Sequence, residues 1–353
     1  MNIPGLEGRA AMSVPLRVAI VGAGRIARVH ADALEGSSEA RLVAIADPRW
    51  EAARALSLET GCPAYGSAEE MIERERPEAA IVCTPPNYHA AVTQYLLGEG
   101  IHVLCEKPLA RELGEAKAMI GAACLSGCRL VLAAKYRFVP GVGLARKLLL
   151  AGSLGDPQRA EITFAQKVEM KGNWYADPKV SGGGVMADNG PHAVDLLRFL
   201  FGPVEAVHVV EGPRPQGLAV EESVEIQARA GEGVMARIHL SWNVGGGETY
   251  LTVHGTEGTL ELGWKGCRCR TPGAEEWTPL APGYDRAQAF RALHQSFVLA
   301  AQGLGEPEGS PDDALATATV VAAAYASLER GDWVEVDGGA ASPAAGPAAE
   351  PAE

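Results

Sequence analysis

The 353-residue chain carries 44 acidic residues against 31 Lys and Arg, a formal charge of −13, and no basic stripe offsets it, so a nucleic-acid partner is not expected. Its 47% apolar and 21% charged residues are ordinary for a soluble globular protein, and the length suggests about two domains. No apolar run reaches the ~18 residues of a membrane span, residues 1–15 lack a signal-peptide layout, and seven scattered cysteines make no secreted disulfide framework, so a cytoplasmic protein is expected.

Residues 1–13 show no periodicity and read as a disordered lead-in. Leu16–Val21 is a short apolar run of the buried parallel-strand type, and it runs into Gly22-Ala23-Gly24-Arg25-Ile26-Ala27 and a helix to about Leu34. A G-x-G-x-x-A turn between strand and helix is the context of a dinucleotide fingerprint. Gly22 makes the tight turn, Gly24 admits a pyrophosphate, and the helix N-terminus faces its charge. A second strand, Arg41–Ala46, ends at Asp47, where an acid would bind the adenosine ribose. That carboxylate would repel a 2′-phosphate, which favours NAD over NADP, although Arg49 is close by. Asp47 could equally cap a helix opened by Pro48.

Ser67–Glu70 has capping-box form. The strand Ala79–Cys83 leads into Thr84-Pro85-Pro86-Asn87-Tyr88-His89, which the prolines are expected to hold as an extended loop where ligands of doubly wound sheets bind. A further strand, His102–Cys105, ends in Glu106-Lys107-Pro108, and Leu130–Ala134 ends at Lys135-Tyr136-Arg137-Phe138. Strands alternating with helices predict a Rossmann sheet over residues 14–136. From 137 to 337 the pattern changes to a helix, then strands at Arg159–Val168, Val204–Glu211, Ser223–Ala230, Val234–Asn243, Tyr250–His254 and Thr259–Leu262. Helices follow at about Arg286–Gln302 and Asp312–Glu329, then a strand at Trp333–Val336. This is an α+β domain with a largely antiparallel open sheet. Residues 338–353 are Gly, Ala, Pro and Glu-rich and read as a disordered tail.

Ser181–Arg198 (SGGGVMADNGPHAVDLLR) brings an acid, an imidazole and a second acid into one volume. A helix starting near Asn189 to Pro191 would leave Asp188 just outside it, with His192 and Asp195 three apart on one face. An imidazole is the usual proton acceptor in catalysis. A capped helix with His packed on its own Asp is the alternative. No metal is expected: Cys124/Cys128 and Cys267/Cys269 lack zinc spacing.

GAGRIA at 22–27, CTPPNYH at 83–89, CEKPLA at 105–110, YRFVP at 136–140, GGGVMADNGPHAVDLLRFLFG at 182–202 and AAAYASLERGDWVEV at 322–336 occur in that order. In this the chain resembles the Gfo/Idh/MocA oxidoreductases, the glucose–fructose oxidoreductase and inositol dehydrogenase family. The resemblance implies a cleft between two domains, with Lys107, Asp188 and His192 as the catalytic group and a cis Lys107-Pro108 bond. It implies NAD held by Gly22, Gly24, Arg25, Ile26, Asp47, Thr84, Pro85, Asn87, His89, Glu106 and Lys107. It further implies a polyol or sugar substrate, and a homodimer or homotetramer built on the outer face of the second sheet.

Asn173, Trp174 and Tyr175 suit a polyol pocket. Lys107, Lys135, Arg137, Trp174, Asp188, His192 and Asp195 form the substrate-facing set; Lys135 and Arg137, together with Lys171, could hold a carboxylate or phosphate. Lys135 departs from the family pattern, where a neutral polar residue is expected. The leading reaction is hydride transfer between a secondary hydroxyl and the nicotinamide. The alternatives are NAD-dependent glycoside cleavage by transient oxidation and elimination, a nucleotide-sensing regulator, and a metal hydrolase on Asp188, His192 and Asp195.

Overall fold

The computed structural model describes residues 14–336; the expected lead-in and tail lie outside the described residues. The first sheet is assembled from β1 (Leu16–Val21), α1 (Arg25–Leu34), β2 (Ala40–Ala46), α2 (Trp50–Thr60), β3 (Ala64–Tyr65), α3 (Ala68–Glu75), β4 (Ala79–Val82), α4 (Pro86–Gly98), β5 (His102–Cys105), α5 (Leu113–Ser126) and β6 (Leu130–Leu132). Its order is β3-β2-β1-β4-β5-β6, and every pairing is parallel. That is the Rossmann order, whose ligand crevice opens between β1 and β4, where the winding reverses. The strands read as unbroken apolar runs because both faces are covered: Ala79–Val82 is buried throughout.

Two local expectations are corrected. The extended loop after β4 stops at Pro85; Pro86 opens α4, so Asn87, Tyr88 and His89 sit in its first turn. Proline is at home there because its missing N–H has no intrahelical partner. Helix α2 starts at Trp50, not at Pro48.

The second part contains α6 (Pro140–Leu150), β7 (Pro157–Ala165), α7 (Pro178–Ser181), α8 (Val185–Phe201), β8 (Val204–Glu211), β9 (Ser223–Ala230), β10 (Val234–Ser241), β11 (Thr249–Gly255), β12 (Thr259–Gly263), β13 (Gly266–Arg270), β14 (Thr278–Pro282), α9 (Arg286–Ala301), α10 (Pro311–Arg330) and β15 (Val334–Glu335). The sheet runs β14-β13-β12-β11-β7-β10-β9-β8-β15. Only β7 and β10 pair in parallel; the other pairings are antiparallel. β13 and β14 are not among the strands the sequence pattern predicts: GCRCR alternates but buries only Cys267, and TPLAP buries no residue. Helix α8 lies buried along this sheet, and α9 returns to the first, where Phe290, Leu293 and Phe297 join the core of β1, β4 and β5.

Candidate active site

The crevice is shaped first by glycine. Gly22 has φ +96°, and a Cβ there would sit 2.7 Å from the backbone of Cys83 and Thr84, so β1 turns against the end of β4. Gly24 is the N-cap of α1, with open space where a Cβ would stand. Asp47 Oδ2 accepts from the Ala23 N–H at 2.7 Å and pairs with Arg49 at 3.1 Å. Burial works against its charge, but hydrogen bonds from Arg49 and Ala23 hold the carboxyl below its usual range. On the β4 side, Thr84 Oγ1 and Asn87 Oδ1 are buried without a hydrogen-bond partner among the described residues. Such orphaned atoms beside a glycine turn fit the groove of a dinucleotide, which would supply the missing partners. Arg25 stands exposed at the mouth, with Ile26 half-buried beside it. His89, expected on the cofactor, is instead buried with its ring nitrogens 2.8 Å from the Pro108 and Thr84 carbonyls. It ties the β4 and β5 ends together.

The Lys107-Pro108 peptide is cis. Lys107 Nζ donates to Asp188 Oδ1 at 2.6 Å and to the Asp188 carbonyl at 2.8 Å, which joins the edge of the first sheet to helix α8 of the second part. Each of these side chains is 14% exposed. Burial opposes the ammonium, yet Asp188 above all raises its pKa beyond the usual lysine value. Trp242 Nε1 donates to Asp188 Oδ2 at 3.3 Å, so both carboxylate oxygens are engaged.

Asp188 is inside α8, which corrects the expected helix start. The helix begins at Val185 because Glu221 caps it from outside: its Oε1 accepts from the Gly184 and Met186 N–H groups at 2.9 and 3.1 Å. A Cβ on Gly184 would overlap the Glu221 backbone, so glycine is required for this approach. A carboxylate at the helix N-terminus also meets the positive end of its dipole. Pro191 then falls within the helix.

His192 is 9% exposed and lies edge-on to Tyr136, with centroids 5.1 Å apart. Burial, then the ammoniums of Lys135 and Lys107, push its pKa well below the usual 6.5, so the ring is neutral. Asp195, grouped with the substrate-facing residues, has its carboxylate taken up by a partner other than His192. Its carboxylate receives Arg137 Nη2 at 2.6 Å and Nε at 3.0 Å, and Arg137 Nη1 also reaches Asp313 at 2.9 Å. With side chains 5% and 4% exposed, Arg137 and Asp195 are a buried strut between the β6 end and α8, not a substrate contact. Lys171 is exposed and carries no support for an anion site. Trp174, 37% exposed, stacks on Tyr175 at 3.8 Å, and Lys107 Nζ is 5.9 Å from the Tyr175 ring.

Sequence reasoning missed a buried row behind the lysines: His294 Nε2 is 2.7 Å from His30 Nδ1, and His30 Nε2 is 2.9 Å from Glu106 Oε1. Glu106 also accepts from the Lys107 N–H at 3.1 Å. His30 lies on the buried face of α1 with no local motif, and His294 is 264 positions away. Among the described residues no group of three His, Cys, Asp or Glu side chains is placed to hold a metal ion.

A Gly-turned Rossmann crevice facing a lysine, a neutral histidine and a paired carboxylate defines a dinucleotide-binding oxidoreductase. Residues 16–134 match the oxidoreductase family with an NAD-binding Rossmann fold, GFO/IDH/MocA, and residues 142–261 match that family's C-terminal domain. The chain belongs to the Gfo/Idh/MocA oxidoreductases. It is 29% identical to a 1,5-anhydro-D-fructose reductase of Ensifer adhaerens, over 92% of this chain and 99% of that protein. Identity to an inositol 2-dehydrogenase of Rhizobium meliloti is 27%, over 89% and 97% of the two chains. GenD2 from gentamicin A biosynthesis, solved with NAD, superposes with a TM-score of 0.82 at 27% identity, over 94% of this chain and 100% of that one.

Proposed function

We propose that the protein moves hydride between a secondary hydroxyl of a sugar, cyclitol or sugar derivative and NAD, in the cleft between its two sheets. The supporting observation is the 2.6 Å pair of Lys107 and Asp188, which holds an ammonium beside the helix turn carrying His192. The reductase and the inositol dehydrogenase named above act on this substrate class. Bound NAD supplies the hydride acceptor. His192, kept neutral by burial and two nearby cations, takes the hydroxyl proton. Lys107 stays charged and donates to the hydroxyl oxygen as negative charge develops there, an interaction strongest in the transition state. Asp188 fixes the ammonium, and Trp242 fixes Asp188.

The test is a panel of sugars and cyclitols with NAD, followed by nicotinamide absorbance. At least one should be oxidised, and His192→Ala should lower kcat by about 10²–10⁴-fold while NAD affinity is retained. Normal turnover in that variant removes His192 from the role. An inert panel contradicts the substrate class.

A further inference from the structure

Lys135 opens the short 3-10 turn after β6, at the carboxyl edge of the first sheet, on the same side as Lys107. The charged groups that face it are Lys107, Glu106, Asp188 and Arg286. Both carboxylates favour the Lys135 ammonium from a distance, but their hydrogen bonds go to other groups. Glu106 is held by His30 and the Lys107 N–H, and Asp188 by Lys107 and Trp242. Arg286, exposed at the start of α9, has the same sign as Lys135. Among the described residues, Lys135 has no carboxylate within ion-pairing distance. Its Nζ instead lies 5.2 Å from the Tyr136 ring, 5.9 Å from Phe290 and 6.0 Å from Tyr284. These rings attract the cation and hold its stem but bring no neutralising charge.

We infer that Lys135 is a specificity-determining residue that receives an anionic group, carboxylate or phosphate, carried by the polyol substrate. This rests on the oxidoreductase reading above. A neutral sugar hydroxyl needs only an amide or hydroxyl at this place, without the cost of keeping a second ammonium beside Lys107. That cost is visible: burial first, then Lys107, pushes the Lys135 pKa down to about 8. A bound anion would offset both effects and hold the ammonium form more firmly. Arg137, the other cation foreseen for this role, is spent on Asp195 and Asp313, so the recognition falls to Lys135. A lysine is a compact point charge, suited to either anion.

The experiment uses the full chain with NAD and matched substrates: glucose, gluconate, glucuronate and glucose 6-phosphate, with the corresponding cyclitol phosphate. Wild-type kcat/KM should favour an anionic member over its neutral counterpart. In Lys135→Gln and Lys135→Met that ratio should fall about 10- to 100-fold, the range of one charged hydrogen bond, mainly through KM. The carboxylate and phosphate arms show which group is taken. Calorimetric binding of the same anions to the NADH-loaded protein gives a second readout. Binding that depends on Lys135 without any turnover would uphold the inference and sink the hydride reading. A wild-type preference for neutral members, or an unchanged ratio in both folded variants, would overturn the inference.

Discussion

Burial first, and then the charges of Lys135 and Lys107, lower the pKa of the His192 imidazole. Because its folded pKa lies below the usual 6.5, the proton-accepting form persists as pH falls through that value and is lost only further down. The acid limb of kcat/KM is therefore expected below 6.5. Removing one cation, in Lys135→Met, should move that limb upward; a limb that stays in place would mean that burial alone sets it. At the other end of the crevice, Asp47 is ionised and fixed by Ala23 and Arg49. Replacing it by Ser removes the charge that repels a 2′-phosphate. The ratio of NAD to NADP affinity should fall by about tenfold, on the order of one charged hydrogen bond, in a direct binding titration. No change would place selectivity elsewhere.

At the scale of elements, the strut from Arg137 to Asp195 and Asp313 holds the β6 end, α8 and the start of α10 to one another. Removing the guanidinium strands the buried Asp195 carboxylate and unpairs the half-buried Asp313, a loss of about 3–5 kcal/mol. Arg137→Met should show that loss in denaturant unfolding; a loss under about 1 kcal/mol would mean that the carboxylates escape to solvent. These elements also mark what the sequence made legible. Strands Val204–Glu211 and Ser223–Ala230 stand where alternation predicts them, because one face is buried and the other wet. The start of α8 was misplaced because its cap is not local: Glu221 is 37 positions from Gly184. With the usual signal absent, Pro191 looked like a first-turn residue. Likewise the spacing of His192 and Asp195 correctly gave a shared helix but not the partner, since Arg137 comes from 58 positions away. The cofactor turn was the most legible part, because one glycine conformation and one helix end make it.

Across the whole molecule, the site exists only where two independently built sheets meet. The nucleotide crevice belongs to the Rossmann order, while Asp188 and His192 ride on a helix packed on the second sheet. Lys107 bridges the two at 2.6 Å, and α9 fastens the second part back onto the first through Phe290, Leu293 and Phe297. In the proposed reaction, this junction would hold the reacting carbon of the substrate against the nicotinamide. The decisive measurement is the fate of deuterium placed on the reacting carbon of an oxidised polyol, followed by mass spectrometry of the nicotinamide product. The account predicts that the deuterium arrives on NADH in full; its return to carbon in the product, with NAD regenerated and no NADH accumulating, would contradict net hydride transfer and point to oxidation followed by elimination.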